Sequence, residues 1–218
     1  MRNLHDYFFA NNNRLMHKWL HYFYIYERHF DRFVGKQVNL MEIGVFQGGS
    51  LQMWKHYLGD RATIYGVDID PKVKLLEEER IQILIGDQGN RDYWTNIKPS
   101  LPVFDIIIDD GGHSMDQQRI TFEEMFPVLS PHGVYVVEDM HTSYWSEYGG
   151  GFEHSDSFME YSKRLIDKLN AWHSRDSRLT VDKFTESAWS MSYYDSILVI
   201  EKRPRVQPSS AVTGTPSW

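Results

Sequence analysis

Val38-Asn39-Leu40-Met41-Glu42-Ile43, running into Gly44-Val45-Phe46-Gln47-Gly48-Gly49-Ser50, is the stretch on which the fold turns. A short apolar run ends in glycines and opens into the helical pattern of Gly49–Tyr57, so it reads as strand, turn and helix. An open α/β sheet binds nucleotide-like ligands at such a turn, where glycines let the backbone approach the ligand. Ser50 is placed to cap the helix. The spacing is not the dinucleotide fingerprint, because G-x-G-x-x-G would need its second glycine at Phe46, where a pyrophosphate would be crowded. No Gly-Lys-Ser/Thr follows, so the loop is not a P-loop either. A cofactor without a pyrophosphate suits it better; a tight turn with no ligand is the plainer alternative.

The same alternation extends on both sides. Thr63–Val67 reads as a strand ending at Asp68, which is placed to accept hydrogen bonds from ribose hydroxyls. Ile81–Ile85 is a strand ending at Asp87-Gln88, where an adenine amino group could be read. Arg91–Ile97 is a short helix, Phe104–Ile108 a strand, and Met115–Leu129 a helix stopped by Ser130-Pro131-His132-Gly133. Gly133–Val137 is a strand, Ser155–His173 a helix, and Leu179–Phe184 and Ser196–Glu201 two closing antiparallel strands. Near-continuous β-branched runs mark strands buried on both faces, and alternation of β with α predicts a doubly wound α/β domain. The expected architecture is Rossmann-like: seven strands, mostly parallel, with an antiparallel last strand.

Upstream, Leu15, Trp19, Tyr22, Phe23, Tyr26, Phe30 and Phe33 recur every three or four positions and predict one helix over 13–34. Its polar face would carry His17, Lys18, His21, Arg28 and Arg32. Such an aromatic helix either covers the sheet edge or serves as a lid or a homodimer face. The chain then divides into a helical segment (1–37), a catalytic domain (38–202) and a flexible tail (203–218) without periodicity.

Composition narrows the function classes. With 23 basic and 30 acidic side chains the net charge is −7, which speaks against a nucleic-acid partner. There are no cysteines, which excludes disulfides and thiolate-bound zinc. No apolar run approaches about 20 residues, so no membrane span is expected, and the N-terminus lacks a signal-peptide core. The expectation is a soluble cytoplasmic protein.

Two acidic clusters follow apolar runs: Asp109-Asp110-Gly111-Gly112-His113 after Phe104–Ile108, and Glu138-Asp139-Met140-His141 after Gly133–Val137. Carboxylates at the ends of two neighbouring strands converge on one crevice, and like charges held that close need a cation or a shared proton. Carboxylates without cysteine or clustered histidine suit a hard ion such as Mg²⁺, with Mn²⁺ or Ca²⁺ as alternatives. Asp109 is the odd member, suited to a cap or to a cofactor amine. Tyr144 and Trp145 suit stacking on a sugar, with His141 beside them, and Gly149-Gly150-Gly151 permits a mobile or tightly folded loop.

Glu42-Ile43-Gly44 with Gly48, Asp68 and Asp87 resembles the cofactor site of class I S-adenosylmethionine-dependent methyltransferases over 38–202. Ile108–His113 and Val137–Trp145 are similar to motifs of the metal-dependent sugar O-methyltransferases of the macrocin and mycinamicin type. That resemblance implies S-adenosyl-L-methionine contacts from Glu42, Gly44, Gly48, Ser50, Asp68, Asp87, Gln88 and Asp109. It implies magnesium on Asp110, Glu138 and Asp139, and His113 as general base. The acceptor expected is a saccharide hydroxyl, best a vicinal diol, on a natural-product deoxysugar or a mannoside or glucoside. A catechol-type O-methyltransferase shares the metal logic, and a metal-dependent hydrolase or a non-catalytic binding module could use the same acids.

Overall fold

The structure, a computed structural model, describes residues 3–218. Seven strands form one sheet: β1 (Val38–Ile43), β2 (Ala62–Asp68), β3 (Ile81–Ile85), β4 (Phe104–Asp109), β5 (Leu129–Val137), β6 (Ala188–Tyr194) and β7 (Ile197–Lys202). Their order is β3-β2-β1-β4-β5-β7-β6. β3, β2, β1, β4 and β5 are parallel, whereas β7 runs antiparallel to both β5 and β6. The expected architecture is present, with antiparallel pairing confined to one edge.

Period-two alternation sorts the strand side chains into two cores. Leu40, Ile106, Ile108, Val134 and Val136 face one layer with Trp54 of helix α3 (Gly49–Leu58). Met41, Ile43, Ile107, Tyr135 and Val137 face the other, with residues of α4 (Arg91–Ile97), α5 (Met115–Met125) and α6 (Phe158–Leu169). The chain reverses its sheet direction between β1 and β4, so their carboxyl ends open the crevice of a topological switch point.

Helix α1 (Leu4–Phe9) and α2 (Tyr22–Phe30) replace the single helix expected over 13–34. The aromatic stripe is real within α2: Tyr22, Phe23, Tyr26 and Phe30 are buried in the first core layer. It is thus a cover of this sheet, and the dimer face inferred from those aromatics is not available. Residues 11–21 are an irregular strap. The Asn11 side chain accepts the Asn13 N–H and donates to the Arg14 carbonyl, a local turn that competes with helix. Arg14 binds the Leu76 carbonyl and Glu78 at one end, and His21 Nε2–H donates to the Asp195 carbonyl at the other. The strap therefore crosses the carboxyl ends of the strands.

Two other expectations shift. Helix α5 stops at Met125 rather than Leu129, with Pro127 just beyond, and β5 begins at Leu129. The strand expected at Leu179–Phe184 is instead at Ala188–Tyr194, because Asp182 and Thr185 bond each other's backbone N–H groups and turn the chain. Helix α6 starts at Phe158, behind a Ser157 cap, rather than at Ser155, and ends at Leu169 rather than His173. Beyond β7 the tail has no regular structure, yet Arg205 is tied to the Leu169 and Ala188 carbonyls.

Candidate active site

The loop after β1 is knitted to both neighbouring strands. Gly44 N–H donates to the Val67 carbonyl at 2.8 Å, and Asp110 N–H to the Ile43 carbonyl at 2.9 Å. Val45 and Phe46 donate their N–H groups to Asp68 Oδ2 at 2.8 and 3.2 Å, so Asp68 holds the loop as well as facing the crevice. Helix α3 begins behind Gly48, whose φ of +77° is left-handed. Ser50 does not cap it: Gly48 holds the N-cap position, Ser50 lies inside the first turn, and its hydroxyl donates to Glu42 Oε2 at 2.6 Å.

A cavity of about 320 Å³ opens beside this loop. Gly44, Ser50, Asp68, Asp87 and Gln88 line it, with Gly111 and Gly112 on the β4 side and Leu15–Lys18 of the strap above. A Cβ on Gly111 would lie 1.8 Å from Gln88 Oε1, so glycine there lets the Gln88 side chain pack directly against the loop after β4. Asp68 and Asp87 supply acceptors for hydroxyl and amino donors. These features fit a nucleoside cofactor. Gly48 and Glu42 do not line the cavity. Nor does Asp109, which is fully buried and accepts from Gln88 Nε2 at 2.9 Å. Burial pushes its carboxyl up to about 7, against the pull of that hydrogen bond.

Next to the cavity is a second pocket of about 200 Å³ lined by Asp110, His113, Glu138 and Asp139, with His17, Lys18, Trp19 and Phe46. His113 Nε2 lies 3.8 Å from Asp110 Oδ1 and 3.6 Å from Asp139 Oδ2. One ligand atom from each of these three side chains falls within 4.8 Å of the others, a grouping able to hold a metal ion. His113, Asp139 and Phe46 all have positive φ, at 56°, 54° and 51°. Three of the six non-glycine residues with positive φ among the described residues thus line one pocket, and such strain tends to cluster at functional sites. His113 Nδ1 is buried without a hydrogen-bond partner.

Glu138 takes a different partner set. Its carboxylate accepts from Tyr26 at 2.6 Å and from Lys18 Nζ at 3.1 and 3.2 Å. Lys18 also reaches Asp110 Oδ2 at 2.5 Å and Glu42 Oε1 at 3.2 Å. Burial alone would lower the Lys18 pKa, but the charges of Asp110, Glu138, Tyr26 and Glu42 outweigh it and hold the ammonium well above the ordinary lysine range. Burial and then the Asp110 charge push Glu138 up, with Lys18 opposing. Buried Tyr22 holds the other acid, its hydroxyl donating to Asp139 Oδ1 at 2.9 Å.

The structure thus brings Asp110, His113 and Asp139 together and places Glu138 in the same pocket, turned toward Lys18. An oxygen-rich donor set of this kind fits a hard divalent ion. His141 sits at the rim against Ser196, its ring packed on Trp145 and facing Trp19. Tyr144 and Trp145 are half exposed nearby. Sequence reasoning missed Lys18, Tyr22 and Tyr26. The available signal was two tyrosine hydroxyls four positions apart on an apolar stripe, each needing a polar partner.

Residues 41–140 match a protein family described as a methyltransferase domain. The chain carries a methyltransferase domain. It is 39% identical over 165 residues to demethylmacrocin O-methyltransferase of Streptomyces fradiae, covering 70% of this chain and 41% of that protein. It is 34% identical to 8-demethyl-8-alpha-L-rhamnosyl tetracenomycin-C 2'-O-methyltransferase of Streptomyces olivaceus, covering 82% of this chain and 49% of the relative. Among solved structures, MycE methyltransferase from the mycinamycin pathway, in complex with Mg, SAH and mycinamycin VI, superposes with a TM-score of 0.81 at 32% identity. That match covers 99% of this chain and 55% of MycE. The chain therefore spans about half the length of the curated relatives it matches. Among the described residues no helix is long and apolar enough to cross a membrane.

Proposed function

We propose that the protein is a Mg²⁺-dependent, S-adenosyl-L-methionine-dependent O-methyltransferase acting on a hydroxyl of a saccharide or glycoside. The observation that carries the reading is adjacency. Asp110 lines both the nucleoside-type cavity and the pocket holding His113 and Asp139. A methyl donor and an activated acceptor oxygen would meet at that shared wall. The relatives are named as O-methyltransferases, one of them for the 2' position of a rhamnosyl tetracenomycin, which favours the sugar over a catechol or a hydrolysis.

When bound, the cofactor supplies an electrophilic methyl group and the divalent ion supplies Lewis acidity toward the acceptor oxygen. Asp110 and Asp139, with Glu138, are the residues to hold the ion. His113 Nε2 takes the hydroxyl proton, a role supported by its closeness to Asp110 Oδ1 at 3.8 Å and Asp139 Oδ2 at 3.6 Å. Asp68, Asp87 and Gln88 orient the nucleoside. Tyr144, Trp145 and His141 meet the acceptor at the rim. Holding the acceptor oxygen for in-line attack on the methyl group would supply much of the remaining rate.

We read 38–202 as the catalytic domain, 1–37 as the segment covering it, and 203–218 as an appended tail. The acceptor is a small molecule rather than a nucleic acid, in keeping with the net charge of −7. Cytoplasmic location is supported by the absence of cysteine. A homodimer is supported by the exposed Phe9, Leu20 and Tyr24 of the N-terminal segment, and light scattering would measure it directly. The catalytic reading is tested by transfer of a labelled methyl group to glycoside acceptors. Transfer should vanish in EDTA and return with Mg²⁺; undiminished transfer in chelator removes the metal from the mechanism.

A further inference from the structure

Lys18 is the most unusual charge in the molecule. Its side chain is 2% exposed and lies among three carboxylates, those of Glu42, Asp110 and Glu138. A lysine has three donors, and here each carboxylate receives one. Two of these acids are expected on the metal; the third, Glu42, ends β1 beneath the cofactor loop. The contact is built into the fold. Gly49 lets the strap lie directly on the start of α3, since a Cβ there would meet the Arg14 carbonyl at 2.5 Å. Ion pairs and hydrogen bonds from Arg14 and His21 hold the strap on either side of Lys18.

We infer that Lys18 is a positioning residue of the metal site: its ammonium captures Asp110 Oδ2 and Glu138, leaving Asp110 Oδ1 turned to His113 and Asp139 as a preset ligand atom. The inference rests on the reading of a metal-dependent methyltransferase given above. Geometry supplies the argument. Asp110 offers two oxygens; Oδ2 is bound to Lys18 at 2.5 Å, and Oδ1 is the one near His113 Nε2. Without the ammonium, Asp110, Glu138 and Glu42 would repel one another across a buried space, and their rotamers would separate. Lys18 also joins the acid under the cofactor loop to the acids of the metal pocket, so the two halves of the site share one fixed charge.

The sign of one measurement separates this role from simple charge neutralisation. Removing a positive charge strengthens cation binding if Lys18 only opposes the metal, and weakens it if Lys18 sets the ligands. The probe is Mn²⁺, titrated by electron paramagnetic resonance into wild type and Lys18→Met, each held well below its unfolding temperature. The expected result is Mn²⁺ binding weaker by tenfold or more in the variant. Unchanged or tighter binding overturns the inference. Should the variant not fold, wild-type protein labelled with ¹⁵N-lysine and loaded with Mn²⁺ decides the matter. A dipolar ¹⁵N coupling to the ion is expected if Lys18 stays beside it, and its absence overturns the inference. Failure of wild type to bind Mn²⁺ at all overturns the metal-dependent reading itself, and this inference with it.

Discussion

His113 is the residue whose replacement most directly separates chemistry from assembly. It lies on a left-handed turn at the end of β4, with Nε2 toward two aspartates, and it takes no part in the cofactor cavity wall. His113→Ala should lower kcat by about 10²–10⁴-fold, the usual contribution of a general base, with S-adenosylhomocysteine affinity retained. Single-turnover kinetics beside calorimetry would show this split, and wild-type turnover in the variant would end the role of base. Asp110, His113 and Asp139 were legible in the sequence because acids just after apolar runs mark strand ends, and strand ends converge. Lys18 was not. Helical spacing assigned it to a solvated face, and only contacts 24, 92 and 120 positions away reveal where its ammonium goes.

Elements were legible where local pattern and tertiary demand agree. The bounds of β1, β3 and α4 follow from apolar runs and a capping Asn90. The strap at 11–21 was not legible, since asparagine turns and long-range ion pairs override its helical period. Helix α2 is pinned to the antiparallel edge by His29, and that pin carries a pH signature. Its ring nitrogens meet Glu201 at 3.1 Å and the Tyr194 hydroxyl at 2.9 Å. A neutral ring, donating from Nδ1 to Glu201 and accepting from Tyr194 at Nε2, satisfies both partners. Burial likewise lowers the His29 pKa, against the pull of Glu201. A histidine depressed in the folded state takes up its proton first in the unfolded state, so it removes stability as pH falls through the unfolded value of about 6.5. His29→Gln should be less stable than wild type at neutral pH, and the difference should shrink by pH 5. Urea unfolding at both values measures it; a difference that grows on acidification contradicts the assignment of a neutral His29.

At the scale of the whole molecule, the sheet order sets the nucleoside-type cavity and the acidic pocket on either side of one backbone crossing. Gly44 is that crossing. Its φ is +93°, and a Cβ on it would lie 2.0 Å from the Asp110 carbonyl oxygen, a backbone atom that cannot rotate away. The loop carrying Asp110 would have to move, and with it the wall common to both pockets. Wild type at S-adenosylhomocysteine concentrations of 100 times Kd should gain about 2.7 kcal/mol, or about 5–10 °C in Tm for a chain of this size. Gly44→Ala should lose several degrees of Tm without ligand, by backbone strain and overpacking together, and should show little or none of that ligand-induced gain. Gly35→Ala is the control: its φ of +75° is also left-handed, but nothing lies within 4 Å of the new Cβ. It should cost only the backbone strain of about 1–2 kcal/mol and keep the full ligand-induced rise. Thermal unfolding of the three proteins with and without S-adenosylhomocysteine reads both effects. A Gly44→Ala protein stabilised as much as wild type would mean that cofactor binding does not depend on where the β1 and β4 loops cross.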